Sequence, residues 1–142
     1  AFDYKLMCQG KEALEANLAE FQKTPKDQQT ATIKDTIRDM KIVQEMYARG
    51  IEFMPIDIYR ADAQRFQIID GKIMPSFGSL PGMGAKAAQQ LQEAASQGTF
   101  TSKEDIRNRG KVSKTILDDM EELGLLKGLP ETNQYDFFSL LQ

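Results

Sequence analysis

Histidine is absent from the 142 residues, and cysteine occurs once, as Cys8. Without an imidazole there is no Ser-His or Cys-His nucleophilic catalysis. One sulfur and no histidine also leave too few ligands for a structural zinc site. A lone cysteine forms no internal disulfide, which suits a reducing, cytoplasmic setting. No apolar run approaches the ~18 residues a membrane span needs, and no secretory leader is visible, so no membrane partner is expected. Positive charge is in deficit: 18 Lys and Arg stand against 21 Asp and Glu, a net charge of −3. Such a chain does not attract polyanions as a whole, so any nucleic-acid site must be a local basic patch. Carboxylate- or lysine-based catalysis remains open on composition.

What is present reads as an ordinary globular chain, 41% hydrophobic and 27% charged, of a length for one compact domain or a small domain with flanking segments. Ala1 is not a natural start, so a longer parent chain is expected. Leu14, Leu18 and Phe21 share one face of a helix predicted over residues 11–23. Thr24, Pro25, Lys26 and Asp27 break it. A second helix is predicted over 28–49, with the stripe Ile33, Ile37, Met40, Val43 and Tyr47, and Gly50 as its stop. The pair is a plain amphipathic helical hairpin or a scaffold for a neighbouring domain.

The style then changes. Residues 51–59 predict extended chain with Pro55 at an edge, and Asp70-Gly71 between Ile68-Ile69 and Ile73-Met74 predicts a tight β-hairpin. Glycines cut the rest into short helices: 84–97 stopped by Gly98, a helix from the cap Ser102 through Asn108 ended by Gly110, and one from the cap Ser113 to Leu123, stopped by Gly124. The predicted fold is mainly α with a small β-hairpin of short strands (α+β). A helical segment over 1–50 precedes a domain with tandem helix-hairpin-helix elements over 51–128, and a tail occupies 129–142.

Three patches carry chemistry. Leu80-Pro81-Gly82-Met83-Gly84, followed by Ala85-Lys86-Ala87-Ala88, joins a short helix to a longer one. Its glycines allow a tight turn and close approach, the free amides at the helix start can grip a phosphate, and Lys86 lies in that first turn. Leu80 and Leu91 would anchor the core, and Ala87 and Ala88 keep the helices close. A plain αα turn would use the same glycines for packing alone. Arg107, Arg109, Lys111 and Lys114 form the second patch, around the Gly110 turn with no acid between Ile106 and Leu117. They are either a solvated turn or a second phosphate grip; phosphate contacts position a duplex without specifying its sequence. The third patch is Gln134, Tyr135, Asp136, Phe137 and Phe138, where adjacent aromatics suit either docking into a partner's apolar pocket or packing back onto the domain. Asp118-Asp119 and Glu121-Glu122 read as a solvated helix face, and Asp57 and Asp62 are too isolated for a two-metal site. A stand-alone DNA-binding module of a repair protein and a protein-interaction domain with structural glycines are the competing readings.

Several stretches, in order, resemble the end of the C-family replicative DNA polymerases. Met54-Pro55-Ile56-Asp57-Ile58-Tyr59-Arg60 is similar to the family's proline-x-aspartate-x-x-arginine entry. The hairpin from Phe66 to Ile73, Pro81-Gly82-Met83-Gly84, Phe100-Thr101-Ser102-Lys103-Glu104-Asp105 and Arg109-Gly110-Lys111-Val112-Ser113-Lys114 follow in order, closest to the PolC branch of low-GC Gram-positive bacteria. Phe2 to Gly10 resembles the end of that branch's fingers region. The resemblance implies a parent that is the alpha subunit of DNA polymerase III, a DNA-directed DNA polymerase with a 3′–5′ exonuclease. Its catalytic aspartates and magnesium lie upstream, so no catalytic residue, metal or cofactor is expected here. It implies that Gly82, Met83, Gly84 and Lys86 are a phosphate-gripping turn on double-stranded DNA. It also implies that residues 134–138 are a peptide for the sliding clamp (beta subunit), and that the rest of the polymerase chain is a further partner. Tyr135 and Phe137 stand where the family has leucine or a similar aliphatic, and Ala61 stands where serine is common.

Overall fold

The computed structural model describes residues 2–132. A short helix α1 (Tyr4–Met7) is capped by Asp3, whose carboxylate accepts the Leu6 N–H at 3.0 Å. Helices α2 (Lys11–Gln22) and α3 (Ala31–Ala48) pack as a hairpin that buries Leu14 and Leu18 from one and Ile37, Met40 and Val43 from the other. These are the apolar stripes the helical period requires. Helix α3 starts three residues later than the sequence pattern suggests. Lys26–Gln28 forms a 3₁₀ turn, Gln29 is extended, and the Thr30 hydroxyl accepts the Ile33 N–H at 3.2 Å. A hydroxyl that satisfies a first-turn amide outcompetes glutamine as a helix start.

Beyond Gly50, strands β1 (Gln67–Ile69) and β2 (Lys72–Met74) pair antiparallel with Ile68 opposite Ile73. Asp70 and Gly71, with φ of 52° and 77°, are the two left-handed residues that a two-residue hairpin turn needs. Of the extended stretch 51–59, only Phe53 bridges the sheet, parallel to Ile73. The Ile73 N–H donates to Glu52 and the Met54 N–H to Ile73. Pro55 follows with no N–H to continue the ladder.

A 3₁₀ turn (Phe77–Ser79) then leads to α4 (Ala85–Ser96), α5 (Lys103–Gly110) and α6 (Lys114–Glu122). Helix α4 packs on the 3₁₀ turn and on α5, and α5 packs on α6. The buried apolar side chains form one continuous core; Met7, Leu14, Met40, Met74, Phe77, Leu91, Ile106 and Met120 are fully enclosed. Methionine fills irregular gaps between such short elements well.

Direct contacts join the two sides of Gly50. The Tyr47 hydroxyl donates to the Met7 carbonyl at 2.8 Å and accepts the Gly10 N–H at 3.2 Å. Its ring meets Phe53 edge-on, and Phe2 lies against both Phe53 and Phe66. Residues 130–131, expected as the start of a tail, are docked. The Lys103 and Glu104 N–H groups donate to the Pro130 and Glu131 carbonyls at 2.9 and 3.0 Å. The Lys103 ammonium bridges Glu121 and Glu131. The first amides of a helix lack internal acceptors, and the returning chain supplies two.

Candidate nucleic-acid interface

The first hairpin is built from a type II turn. The Met83 N–H donates to the Leu80 carbonyl at 3.0 Å, Pro81 holds the second position, and Gly82 has φ of 79°, which that turn type requires. Gly84, at φ −75° and ψ 165°, is the N-cap of α4 and offers no side-chain acceptor. The Ala88 N–H makes the first intrahelical bond, to Gly84. The N–H groups of Ala85, Lys86 and Ala87 therefore have no acceptor among the described residues. A Cβ built on Gly84 would meet nothing within 4 Å. Neither its backbone angles nor its neighbours demand a glycine there. Gly82, Gly84 and Lys86 are exposed, while Leu80, Ala88 and Leu91 are buried beneath them. The turn forms one wall of a cleft whose opposite wall includes Phe21, Thr32 and Thr36 of the helical hairpin.

The second hairpin repeats the same backbone states. Lys111 is left-handed at φ 57°, Val112 is buried, and Ser113 is an extended N-cap for α6. Gly82, Met83 and Gly84 pass through the same series of left-handed, buried and extended residues. Sequence reading points to Gly110 as the turn glycine, but Gly110 is the last residue of α5. A Cβ there would lie 2.9 Å from Leu91 Cδ1, so this glycine serves the α4–α5 contact. The hairpins also differ: the Ser113 hydroxyl accepts the Ile116 N–H at 3.3 Å, whereas Gly84 caps nothing. Helix α6 thus satisfies one of its own first amides; α4 leaves its own to an outside acceptor.

Lys86, Arg107, Lys111 and Lys114 are exposed, and none has a carboxylate within ion-pair distance among the described residues. Two residues differ from expectation in where their groups point. Met83 is 7% exposed and its N–H is spent on Leu80, so it contributes to the turn's shape. Arg109 turns inward. Its guanidinium donates to the carbonyls of Ala94 (2.8 Å), Gly98 and Thr99 (both 3.1 Å) and to the Asp105 carboxylate (3.1 Å), and it stacks over Phe100 at 4.7 Å. It ties the end of α4 to α5 with four donors of its planar fork. The sequence hint was Asp105 four residues earlier, a salt-bridge spacing on one helix. The Thr101 N–H, and then Arg109, hold the Asp105 carboxyl below the usual range.

Residues 134–138 lie outside the described residues. Asp57 and Asp62 build turns by accepting backbone N–H groups: Asp57 from Tyr59, and Asp62 from Gln64 and Arg65. Of the acids on α6, Asp119 lies 3.8 Å from Lys5, while Glu121 holds Lys103. No cluster of three metal-ligating side chains occurs among the described residues. Burial, and then Asp3, push the Cys8 thiol far up, which disfavours the thiolate form.

Two left-handed, buried, extended turns, each feeding a helix, define the class. The helix-hairpin-helix motif family matches residues 50–135, and the chain belongs to that family. Its relatives narrow the comparison. The chain is 41% identical over 138 residues to the DNA polymerase III PolC-type of Listeria monocytogenes, covering 96% of this chain and 9% of that protein. It is 36% identical over 142 residues to the DNA polymerase III PolC-type of Streptococcus pneumoniae, covering 99% of this chain and 10% of that protein. The PolC-type enzyme of Clostridium perfringens is 36% identical over 137 residues. The chain thus spans about a tenth of the length of these curated relatives. The resemblance to PolC-type polymerases and the mainly helical fold with one antiparallel hairpin both hold.

Proposed function

We propose that this chain is the C-terminal, duplex-DNA-binding part of a PolC-type replicative DNA polymerase of the bacterial cytoplasm. It holds the product duplex by its backbone phosphates, without reading sequence. Nucleotidyl transfer, its magnesium and the 3′–5′ exonuclease belong to the rest of the parent chain, and no residue here is catalytic. The observation that carries the reading is the open start of α4. Three unpaired amides converge behind a glycine that the fold does not need, and a helix start of this kind favours an anion. Lys86 adds a cation at the first hairpin; Arg107, Lys111 and Lys114 add three around the second. Met83 and Arg109 shape the turns that present them. Residues 134–138 serve as a peptide for the sliding clamp, which raises the effective concentration of polymerase on DNA without tighter phosphate contacts.

Titration of the chain with fluorescent duplex at several salt concentrations tests this. Neutralising three to five phosphates gives a slope of log affinity against log salt of roughly −3 to −4.5. Affinity independent of salt defeats the reading. Gly84→Asp separates grip from fold. An aspartate cap leaves stability unchanged or raised by a few tenths of a kcal/mol. Its charge occupies the place of a phosphate, so DNA affinity falls by about tenfold or more. Unchanged affinity in that variant would make the glycine turn purely structural. A clamp pull-down with wild type and Phe137→Ala/Phe138→Ala tests the tail separately, with binding lost in the variant.

A further inference from the structure

The small sheet carries an apolar strip on one side. Ile68 stands opposite Ile73 across the hairpin, and Ile73 bridges Phe53, so the three side chains share a face. Phe2 extends the strip, with its ring 5.9 Å from Phe53 and edge-on to Phe66 at 4.7 Å. Burial along it is graded. Phe2, Phe53 and Ile73 are half-buried, whereas Phe66 is 41% and Ile68 82% exposed. Exposed apolar groups that continue a patch, rather than standing singly, mark a contact surface. The strip borders the first hairpin. Phe66 and Gln64 share a pocket of about 370 Å³ with Met83 and Ala85, and Ala85 is the first residue of α4, where the open amides lie. Of the acids on the sheet, Glu52 is held by Lys72 at 3.2 Å, and Asp70 lies at the hairpin tip beyond Ile68.

We propose that Phe66 and Ile68 pack on the deoxyribose faces of the strand whose phosphate sits at the α4 amides. This rests on the duplex-binding reading above and extends its contact to a part of the strand that no cation recognises. A nucleic-acid strand alternates phosphates with sugars, and the C–H faces of the sugars are its apolar part. A phosphate held at residues 85–87 brings its neighbouring sugars to the pocket that Phe66 lines. Sugars are the same at every base pair, so the contact adds affinity without reading sequence. It neutralises no phosphate and releases no counterion, so its contribution does not depend on salt.

Salt titrations of the 142-residue chain with fluorescent duplex separate the two kinds of contact. Ile68→Thr keeps the β-branched shape that suits a strand and removes part of the exposed apolar tip, so its urea melt is expected to match wild type. Its duplex affinity is expected to fall about three- to tenfold at every salt concentration, with the slope of log affinity against log salt unchanged. Phe66→Ala, whose ring also supports Phe2, is expected to lose at least as much at the same slope. Lys86→Gln, by contrast, is expected to lower the magnitude of the slope by about 1. Either strip variant binding as tightly as wild type overturns the sugar contact and leaves the phosphate grip standing. A changed slope in Ile68→Thr overturns it too, because the lost contact would then be electrostatic. Wild-type affinity independent of salt defeats the duplex reading itself, and the sugar contact with it.

Discussion

Gly84 lies two residues after the left-handed Gly82 and Gly110 one residue before the left-handed Lys111, and they are glycines for opposite reasons. At 110 the space is already taken: a Cβ would press on Leu91 Cδ1 and approach Val112 Cγ2 at 3.4 Å. Leu91 is fully buried and has little room to yield. Gly110→Ala is therefore expected to cost about 1–2 kcal/mol, read in urea melts, despite alanine's better helix propensity. At 84 the space is open, so the same substitution would be tolerated by the fold. Lys111 is the third case. A side chain at φ 57° is strained by about 1 kcal/mol, and glycine would relieve it. Lys111→Gly should then be between unchanged and about 1 kcal/mol more stable, because glycine's greater freedom when unfolded offsets part of the gain. If the lysine neutralises a phosphate, the same variant lowers the magnitude of the salt slope for duplex binding by about 1.

At the scale of elements, what was legible was local. Ser102 and Ser113 cap where their spacing to a following apolar run says they should, since cap and amide are three residues apart. The Asp70-Gly71 hairpin and the α2–α3 pair follow from turn chemistry and period for the same reason. The hidden parts depend on distant partners: the Phe53 bridge to Ile73, residues 130–131 on α5, and the inward turn of Arg109. The start of α5 carries a pH consequence. Asp105 accepts the Thr101 N–H while its own N–H donates to Ser102, and its carboxyl is held low by Thr101 and then Arg109. Asp62 is held low by the N–H groups of Arg65 and then Gln64. A carboxyl with a depressed folded value adds stability that is complete above its unfolded value near ~4 and is lost as pH falls through the lower one. Urea melts are expected to show falling stability from about pH 4 downward, and Asp105→Asn to be weaker at pH 7 with a shallower acid dependence.

Across the whole molecule, the N-terminal helices are joined to the hairpin region by few but specific contacts. Tyr47 is the hub, with its hydroxyl between Met7 and Gly10 and its ring on Phe53. Tyr47→Phe keeps the ring and removes both hydrogen bonds. It should cost about 1 kcal/mol and lower Tm by about 3 °C in calorimetry, with duplex affinity unchanged. A loss of duplex affinity in that variant would mean that the cleft between α3 and the first turn depends on this junction.

The inward fork of Arg109 bears on how the two turns work together. It locks the end of α4 to α5, and α5 leads directly into the second turn. The joint between α4 and α5 is thereby ordered in the free chain, and a duplex held as proposed would lose little freedom there on seating.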